Sequence, residues 1–161
     1  MNLIKEIYLE DDIKCEKYNI RKAARSVAFN DENKIAILNV SRYNYHKLPG
    51  GGIEDGEDIY EALRREMLEE VGANIEVTGE IGTIIEYRNK FELLQISYCY
   101  KANIVGELMS TNFTDKELSG GFMLEWRTLD EAIEMLKSDK PANYEGEFII
   151  KRDLEFLKAL V

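Results

Sequence analysis

Between residues 51 and 73 the chain runs Gly51-x5-Glu57-x7-Arg65-Glu66-Met67-x-Glu69-Glu70-x-Gly72-Ala73, a glycine-rich loop leading into a helix that ends in three glutamates. At about 100° per residue, Glu66, Glu69 and Glu70 are adjacent or i,i+3 and i,i+4 neighbours and share one side of that helix. Like charges so spaced cost an isolated helix roughly 0.2–0.5 kcal/mol per pair, and oxygen donors suit a hard divalent ion placed among them. Ile59, Ala62, Leu63, Met67 and Val71 form the apolar stripe of a helix packed on a sheet. Glu66 follows Ile59 by seven residues and Glu70 follows Leu63 by seven, so both acids are expected on the packed side or its edge. Glu57, Glu61 and Arg64 are expected on the wet face, with Arg65 in reach of Glu61 and Glu69. A solvated face is the ordinary explanation of an acidic helix, and this register argues against it.

Ahead of the helix, Leu48-Pro49-Gly50-Gly51-Gly52 gives a stiff entry and three residues able to adopt positive φ, whose amides could approach phosphate oxygens. It is not the phosphate loop that ends in Gly-Lys-Ser/Thr. Gly72 is placed to cap the helix in the left-handed conformation. Arg21, Lys22 and Arg25 form the nearest positive cluster, and Arg25 is the expected phosphate contact among them. Tyr43, Tyr45, Tyr87 and Tyr98 are candidates to stack on a base, with ordinary strand packing as the alternative. His46, the only histidine, is expected to be a partly exposed strand-end residue.

The pattern resembles the box of the Nudix (MutT-like) hydrolases, Gly-x5-Glu-x7-Arg-Glu-U-x-Glu-Glu-x-Gly-U with U a bulky apolar residue. Every fixed position is met; Met67 fills the first U, and Ala73 is smaller than the usual second one. The resemblance implies an α/β/α sandwich with a mixed β-sheet, in the α+β class. It implies hydrolysis of the diphosphate bond in a nucleoside diphosphate linked to X, dependent on Mg²⁺ or Mn²⁺. It places the metal on Glu66, Glu69 and Glu70 and gives Glu66 the orientation or deprotonation of water. Arg65, paired with Glu57, would hold that glutamate. In some relatives the base lies on a later loop, where Glu117 in Thr114-Asp115-Lys116-Glu117 is the candidate, and Glu86 is a weaker one for approaching the metal from a strand. Gly50, Gly51, Gly52, Arg25 and Tyr45 complete the expected substrate contacts. Nucleotide-sugar members often carry a proline soon after the box, and none occurs here between Pro49 and Pro141, so nucleoside triphosphates are mildly favoured. Nucleotide-sugar or dinucleoside-polyphosphate hydrolysis, and a sensing domain without turnover, are the alternatives.

With 161 residues, 45% of them hydrophobic, the chain suffices for one core, so a single domain over 1–161 is expected. The 31 acidic against 21 basic residues give a net charge of -10, which repels a nucleic-acid backbone and makes a bound metal the natural remedy for a small anionic substrate. No apolar run is long enough for a membrane span and the N-terminus lacks a signal-peptide layout, so a cytoplasmic monomer or homodimer without membrane or nucleic-acid partners is expected. Cys15 and Cys99 lack CxxC spacing.

Residues 22–29 and 34–41 have the pattern of a hairpin turning at Asn30-Asp31-Glu32-Asn33, and 75–87 with 91–102 of a second one turning near Arg88-Asn89-Lys90. In the latter, Leu94, Ile96, Tyr98 and Tyr100 alternate with Gln95, Ser97, Cys99 and Lys101, the period of a half-buried strand. A short strand is expected over 122–127. A helix opens with the capping box Thr128-x-x-Glu131 and runs to about 137, and a C-terminal helix covers 145–160.

Overall fold

A computed structural model describes residues 1–161. Eight strands, β1 Leu3–Ile7, β2 Asn19–Phe29, β3 Ile35–Val40, β4 Tyr45–Lys47, β5 Gly50–Gly52, β6 Asn74–Arg88, β7 Leu93–Val105 and β8 Phe122–Arg127, combine with four helices, α1 Ile59–Glu70, α2 Asp115–Ser119, α3 Leu129–Ser138 and α4 Tyr144–Lys158. The sheet is mixed. Its order is β1-β6-β7-β2-β3-β4, with β5 paired to β2 and β8 to β3. β1 runs parallel to β6 and β2 parallel to β7, while the other pairs are antiparallel. No helix is long and apolar enough to cross a membrane.

The period of two along β2 sorts the layers. Ala24 and Ala28 face α1, packing with Ala62, Leu63, Met67 and Val71, whereas Val27 joins Ile35, Ile37, Leu136, Phe148 and Phe156 beneath α3 and α4. The expected α/β/α sandwich is therefore what the chain forms. Ala73, the undersized box position, is buried against Ala28, Ala36 and Ala102, so small residues on the sheet match a small residue after the helix.

Two expectations need correction. β2 and β3 do turn at Asn30, whose Oδ1 accepts from Glu32 N and Lys34 N, with Asn33 at φ 58°. They are not a full hairpin, because only Phe29 and Ile35 pair: β2 is occupied along its length by β7 on one edge and by the glycine strand β5 on the other. In β7 the alternation is present, but over residues 94–99 the polar set is the more buried, whereas Tyr100 is buried and Lys101 exposed as expected. Gln95, Ser97 and Cys99 are fully buried while Leu94, Ile96 and Tyr98 are half-buried.

A buried polar network explains that inversion. Gln95 Nε2 donates to Glu86 Oε2 at 3.0 Å and Arg21 donates to Gln95 Oε1 at 2.6 Å. Glu86 also accepts from Arg88 at 2.8 Å and from Arg152 at 3.3 Å, and Arg152 pairs with Asp153 at 2.7 Å. Asp153 Oδ2 then accepts the Leu48 amide at 2.8 Å, which ties α4 to the segment before the glycines. Glu86, Arg152 and Asp153 are fully buried, so removing one member leaves a charge unpaired. Asp153→Ala should cost about 3–5 kcal/mol in urea unfolding; a loss below about 1 kcal/mol would show that the pair does not secure this segment.

Candidate active site

The glycine triplet is a strand rather than a loose loop. Gly50, Gly51 and Gly52 pair with Arg25, Ala24 and Ala23, and only Gly50 has a positive φ, 143°. At Gly50 a Cβ would collide with the Ala24 carbonyl oxygen, and at Gly51 with the Glu66 carboxylate. The triplet thus admits a close approach between β2, β5 and α1, and only one of its residues uses the left-handed region the sequence suggested.

α1 begins at Asp58, whose side chain accepts from Glu61 N at 2.8 Å while Glu61 returns a bond to Asp58 N. This capping box engages Glu61, so of the two expected partners Arg65 meets only Glu69, at 3.6 Å. Glu57 is not a free wet-face acid: Arg65 grips it through Nε at 2.7 Å and Nη2 at 3.0 Å, and also donates to Gly52 O and to Glu66 Oε1, the latter at 2.8 Å. The Glu57 hydrogen bonds are the main reason the Arg65 pKa is raised despite some burial.

Carboxylate oxygens of Glu66, Glu70 and Glu117 lie within 4.8 Å of one another. Glu70 is fully buried; its Oε1 accepts the Gly50 amide at 2.7 Å, and its Oε2 has no hydrogen-bond partner, with Lys47 Nζ 3.7 Å away. Burial, with Glu66 adding and Lys47 opposing, pushes the Glu70 carboxyl up to about 8. An orphaned buried oxygen beside two further acids fits a hard cation. Glu69 lies at the edge, lining a neighbouring cleft with Arg65, Glu66 and Glu117, and burial followed by Glu66 raises its pKa.

Glu117 arrives from α2 rather than an unstructured loop. Its side chain closes a second capping box with Thr114, accepting from Thr114 N at 2.9 Å. The preceding segment is pinned to the end of α1, Met109 N donating to Gly72 O at 2.7 Å and Asn112 N to Glu69 O at 2.6 Å. Gly72, at φ 69°, caps α1 as expected, and a side chain there would strike the Met109 carbonyl. The Thr114-x-x-Glu117 spacing is the sequence signal that would have placed this residue on a helix start.

Glu66 and Glu117 line a cavity of about 330 Å³ together with the three glycines, Tyr43, Tyr45 and five cations: Arg21, Arg25, Lys47, Arg88 and Lys116. Arg25 is 4% exposed, donates to Gly50 O at 2.7 Å and has no carboxylate within 4.0 Å; burial, then Arg152, lowers its pKa to about 10. Sequence reasoning named Arg25 and Tyr45 but missed Lys47, Arg88, Lys116 and Glu145. Lys47 was within reach, since it shares a face of β4 with Tyr45 two residues earlier. Lys22 and Tyr98 do not line the cavity. Neither does Tyr87, which stacks on Tyr8 with ring centres 4.4 Å apart and donates to Glu6. Glu86 serves the buried network and not the acidic cluster.

A family model of the NUDIX domain matches residues 19–146. The chain belongs to the Nudix family. It is a Nudix hydrolase, and these hydrolases act on acid anhydrides and generally need a divalent metal. Among similar sequences, diphosphoinositol polyphosphate phosphohydrolase 2 of Rattus norvegicus is 26% identical over 133 residues, covering 81% of this chain and 70% of the relative. The human diphosphoinositol polyphosphate phosphohydrolase 3-beta is 29% identical, covering 78% and 74%. Among solved structures, a Nudix hydrolase of Nitrosomonas europaea superposes with a TM-score of 0.63 at 15% identity, covering 88% of this Nudix chain and 90% of the other. A MutT protein of Bacillus halodurans gives 0.56 at 24% identity over 71% and 72%. At these identities the structures establish the shared fold.

His46, behind the cavity wall, accepts a structural role. Its backbone amide donates to Asp139, its Nδ1 lies 3.0 Å from Asp139 and its Nε2 3.2 Å from Glu125, which also pairs with Arg127 at 3.5 Å. Burial alone would lower its pKa, but the Asp139 hydrogen bond and the charges of Asp139 and Glu125 outweigh it and the net shift is upward. Stability from the imidazolium is then complete below the unfolded pKa of about 6.5 and fades as pH rises through the higher folded value. His46→Gln should lose more stability at about pH 5.5 than at about pH 9, measured by urea unfolding at both. An equal loss at the two pH values would show that the imidazolium charge is not what stabilises.

Proposed function

We propose that this Nudix hydrolase cleaves the diphosphate bond of a nucleoside diphosphate linked to X, with nucleoside triphosphates favoured, giving a nucleoside monophosphate and phosphorylated X or pyrophosphate. The observation that carries this reading is the acidic cluster of Glu66, Glu70 and Glu117, two of whose members, Glu66 and Glu117, line a cavity that also holds five cations. Mg²⁺ or Mn²⁺ would be held by these glutamates, with Glu69 at the edge, and when bound would neutralise phosphate oxygens and acidify water.

The chain's own residues divide the remaining work. Glu66 orients the attacking water and takes its proton; Arg65 at 2.8 Å fixes its carboxylate, and Glu57 fixes Arg65. Glu117 has one oxygen committed to Thr114 N, which suits a ligand better than a mobile base. Arg25 and Lys47 both point to Gly50 O, so two cations flank the strand on which a diphosphate would lie. Tyr43 and Tyr45 offer ring surface to the rest of the substrate. The same density of cations supports a second reading, a diphosphate on a multiply phosphorylated carrier of the kind named in the relatives.

Glu66→Gln should lower kcat by about 10²–10⁴-fold with the melting temperature of the metal-free protein unchanged. Arg64→Gln, on the exposed face, is the control, because Glu61 closes the capping box; similar losses in both would end the assignment. In ¹⁸O-labelled water the label must appear on a phosphate product, and label on a sugar carbon would exclude attack at phosphorus.

Metal provides a separate check. A hundredfold excess of Mg²⁺ or Mn²⁺ over its Kd stabilises a folded protein by about 2.7 kcal/mol, which a thermal melt resolves. Glu70→Gln and Glu117→Gln should each abolish most of that gain and Glu69→Gln less of it. The reverse order would return Glu69 to the centre of the site.

A further inference from the structure

Arg88 and Arg21 share a single anchor. Arg88 Nε and Nη2 both donate to Glu86, and Arg21 reaches the same acid through Gln95, whose Nε2 donates to Glu86 at 3.0 Å. One fully buried carboxylate therefore positions two guanidiniums in the cavity lining. Lys116 of α2 lines the same cavity, and neither it nor Arg21 has a carboxylate within 4.0 Å. Arg21 and Lys116 reach the cavity from its exposed rim without a carboxylate partner, so an anionic ligand entering there meets two unpaired cations beside Arg88. No ion pair joins the three to Glu66, Glu70 or Glu117, so they are not spent on the acidic cluster.

Only one nitrogen of Arg88 is free to change partner. Nη1 meets Glu145 at 3.2 Å, and the Glu145 side chain, about one-third exposed (35%), sits in the first turn of α4 at the cavity lining. A carboxylate there is held by a single bond and can swing toward solvent.

The geometry points to a second anion subsite, made by Arg21, Arg88 and Lys116, that takes a phosphate of the substrate other than the attacked diphosphate, with Glu145 as the acid such a phosphate displaces. This rests on the cavity being the substrate pocket. A neutral group at this position leaves Glu145 paired and Arg21 and Lys116 without an anion. A phosphate replaces one carboxylate with up to two charges and satisfies all three cations. Glu145 thus competes with that phosphate for Arg88, lowering the affinity of ligands that carry it and leaving ligands that lack it unaffected.

Calorimetric titration of the full chain in metal-free buffer, with pyrophosphate and with tripolyphosphate as probes, tests the subsite without turnover. Wild type should bind tripolyphosphate about tenfold or more tighter than pyrophosphate. Arg21→Gln/Lys116→Gln should bring the two probes within about twofold of each other. Glu145→Gln should tighten tripolyphosphate by several-fold, while Glu147→Gln, an exposed acid on the same helix, should leave it unchanged. Should the double glutamine variant melt early, Arg21→Lys/Lys116→Arg keeps both charges and must restore the preference. A preference that survives in the glutamine variant, or weaker binding by Glu145→Gln, overturns the subsite. The outcomes also separate from those of the hydrolase reading: probe binding with no turnover of any nucleotide defeats only that reading, and Glu66-dependent turnover without a probe preference defeats only the subsite.

Discussion

The hydrogen bond from Gly50 N to Glu70 Oε1, 2.7 Å long, joins the two ends of the box and fixes what the rest of the site can do. It requires the last turn of α1 to lie against β5, which is possible only because Gly50 and Gly51 present no Cβ to Ala24 and Glu66. The same segment is held from two other directions, by Ser26 N on Pro49 O at 3.1 Å and by Asp153 on Leu48 N at 2.8 Å. Sheet, box helix and C-terminal helix therefore meet on three consecutive residues, Leu48, Pro49 and Gly50. Preorganisation of that kind is what phosphoryl chemistry needs, since most of its catalysis is positioning and charge stabilisation.

An acidic protein that handles an anion has to separate its charges in space. Here the separation follows the layers except at Lys116, which shares α2 with Glu117, and at Glu145, which lies on α4. The acids that converge come from α1 and α2, whereas Arg21 and Arg25 lie on the β2 face turned to α4, with Arg88 and Lys47 from β6 and β4 beside them. Arg21 is exposed, but Arg25, Arg88 and Lys47 are buried, which is expensive, and the structure offsets the cost unevenly: Arg152 and Arg88 have carboxylate partners, and Arg25 has only the Gly50 carbonyl. The uneven pairing is what the proposed substrate phosphates would offset.

How much of this was legible in the sequence depends on the range of the interaction. Helix α1, its apolar stripe and the inward turn of Glu66 and Glu70 follow from local periodicity, and the structure buries both acids. β8 and α3 were equally clear, since the Thr128 and Glu131 capping box is contained in four residues. The burial of Gln95 and Ser97 was not legible, because it depends on Glu86 and Arg152 arriving from elements far apart in the chain. Lys116 and Glu145 were missed for the same reason: each looks like an ordinary solvated charge until the sheet brings α2 and α4 to the same cavity.

The placement of Glu117 shows how a long connection can still be exact in effect. Residues 106–114 have no helix or strand, yet the segment ends at a carboxylate that meets two others within 4.8 Å. Its precision is borrowed from the end of α1, where the carbonyls of Glu69 in the last turn and Gly72 just past it accept from Asn112 and Met109. The Glu69 carbonyl is one of those that every helix leaves unsatisfied at its end, and here it helps register a second acidic element against the first. Because the anchor lies at the end of the helix that carries Glu66 and Glu70, the position of Glu117 is set relative to α1 directly.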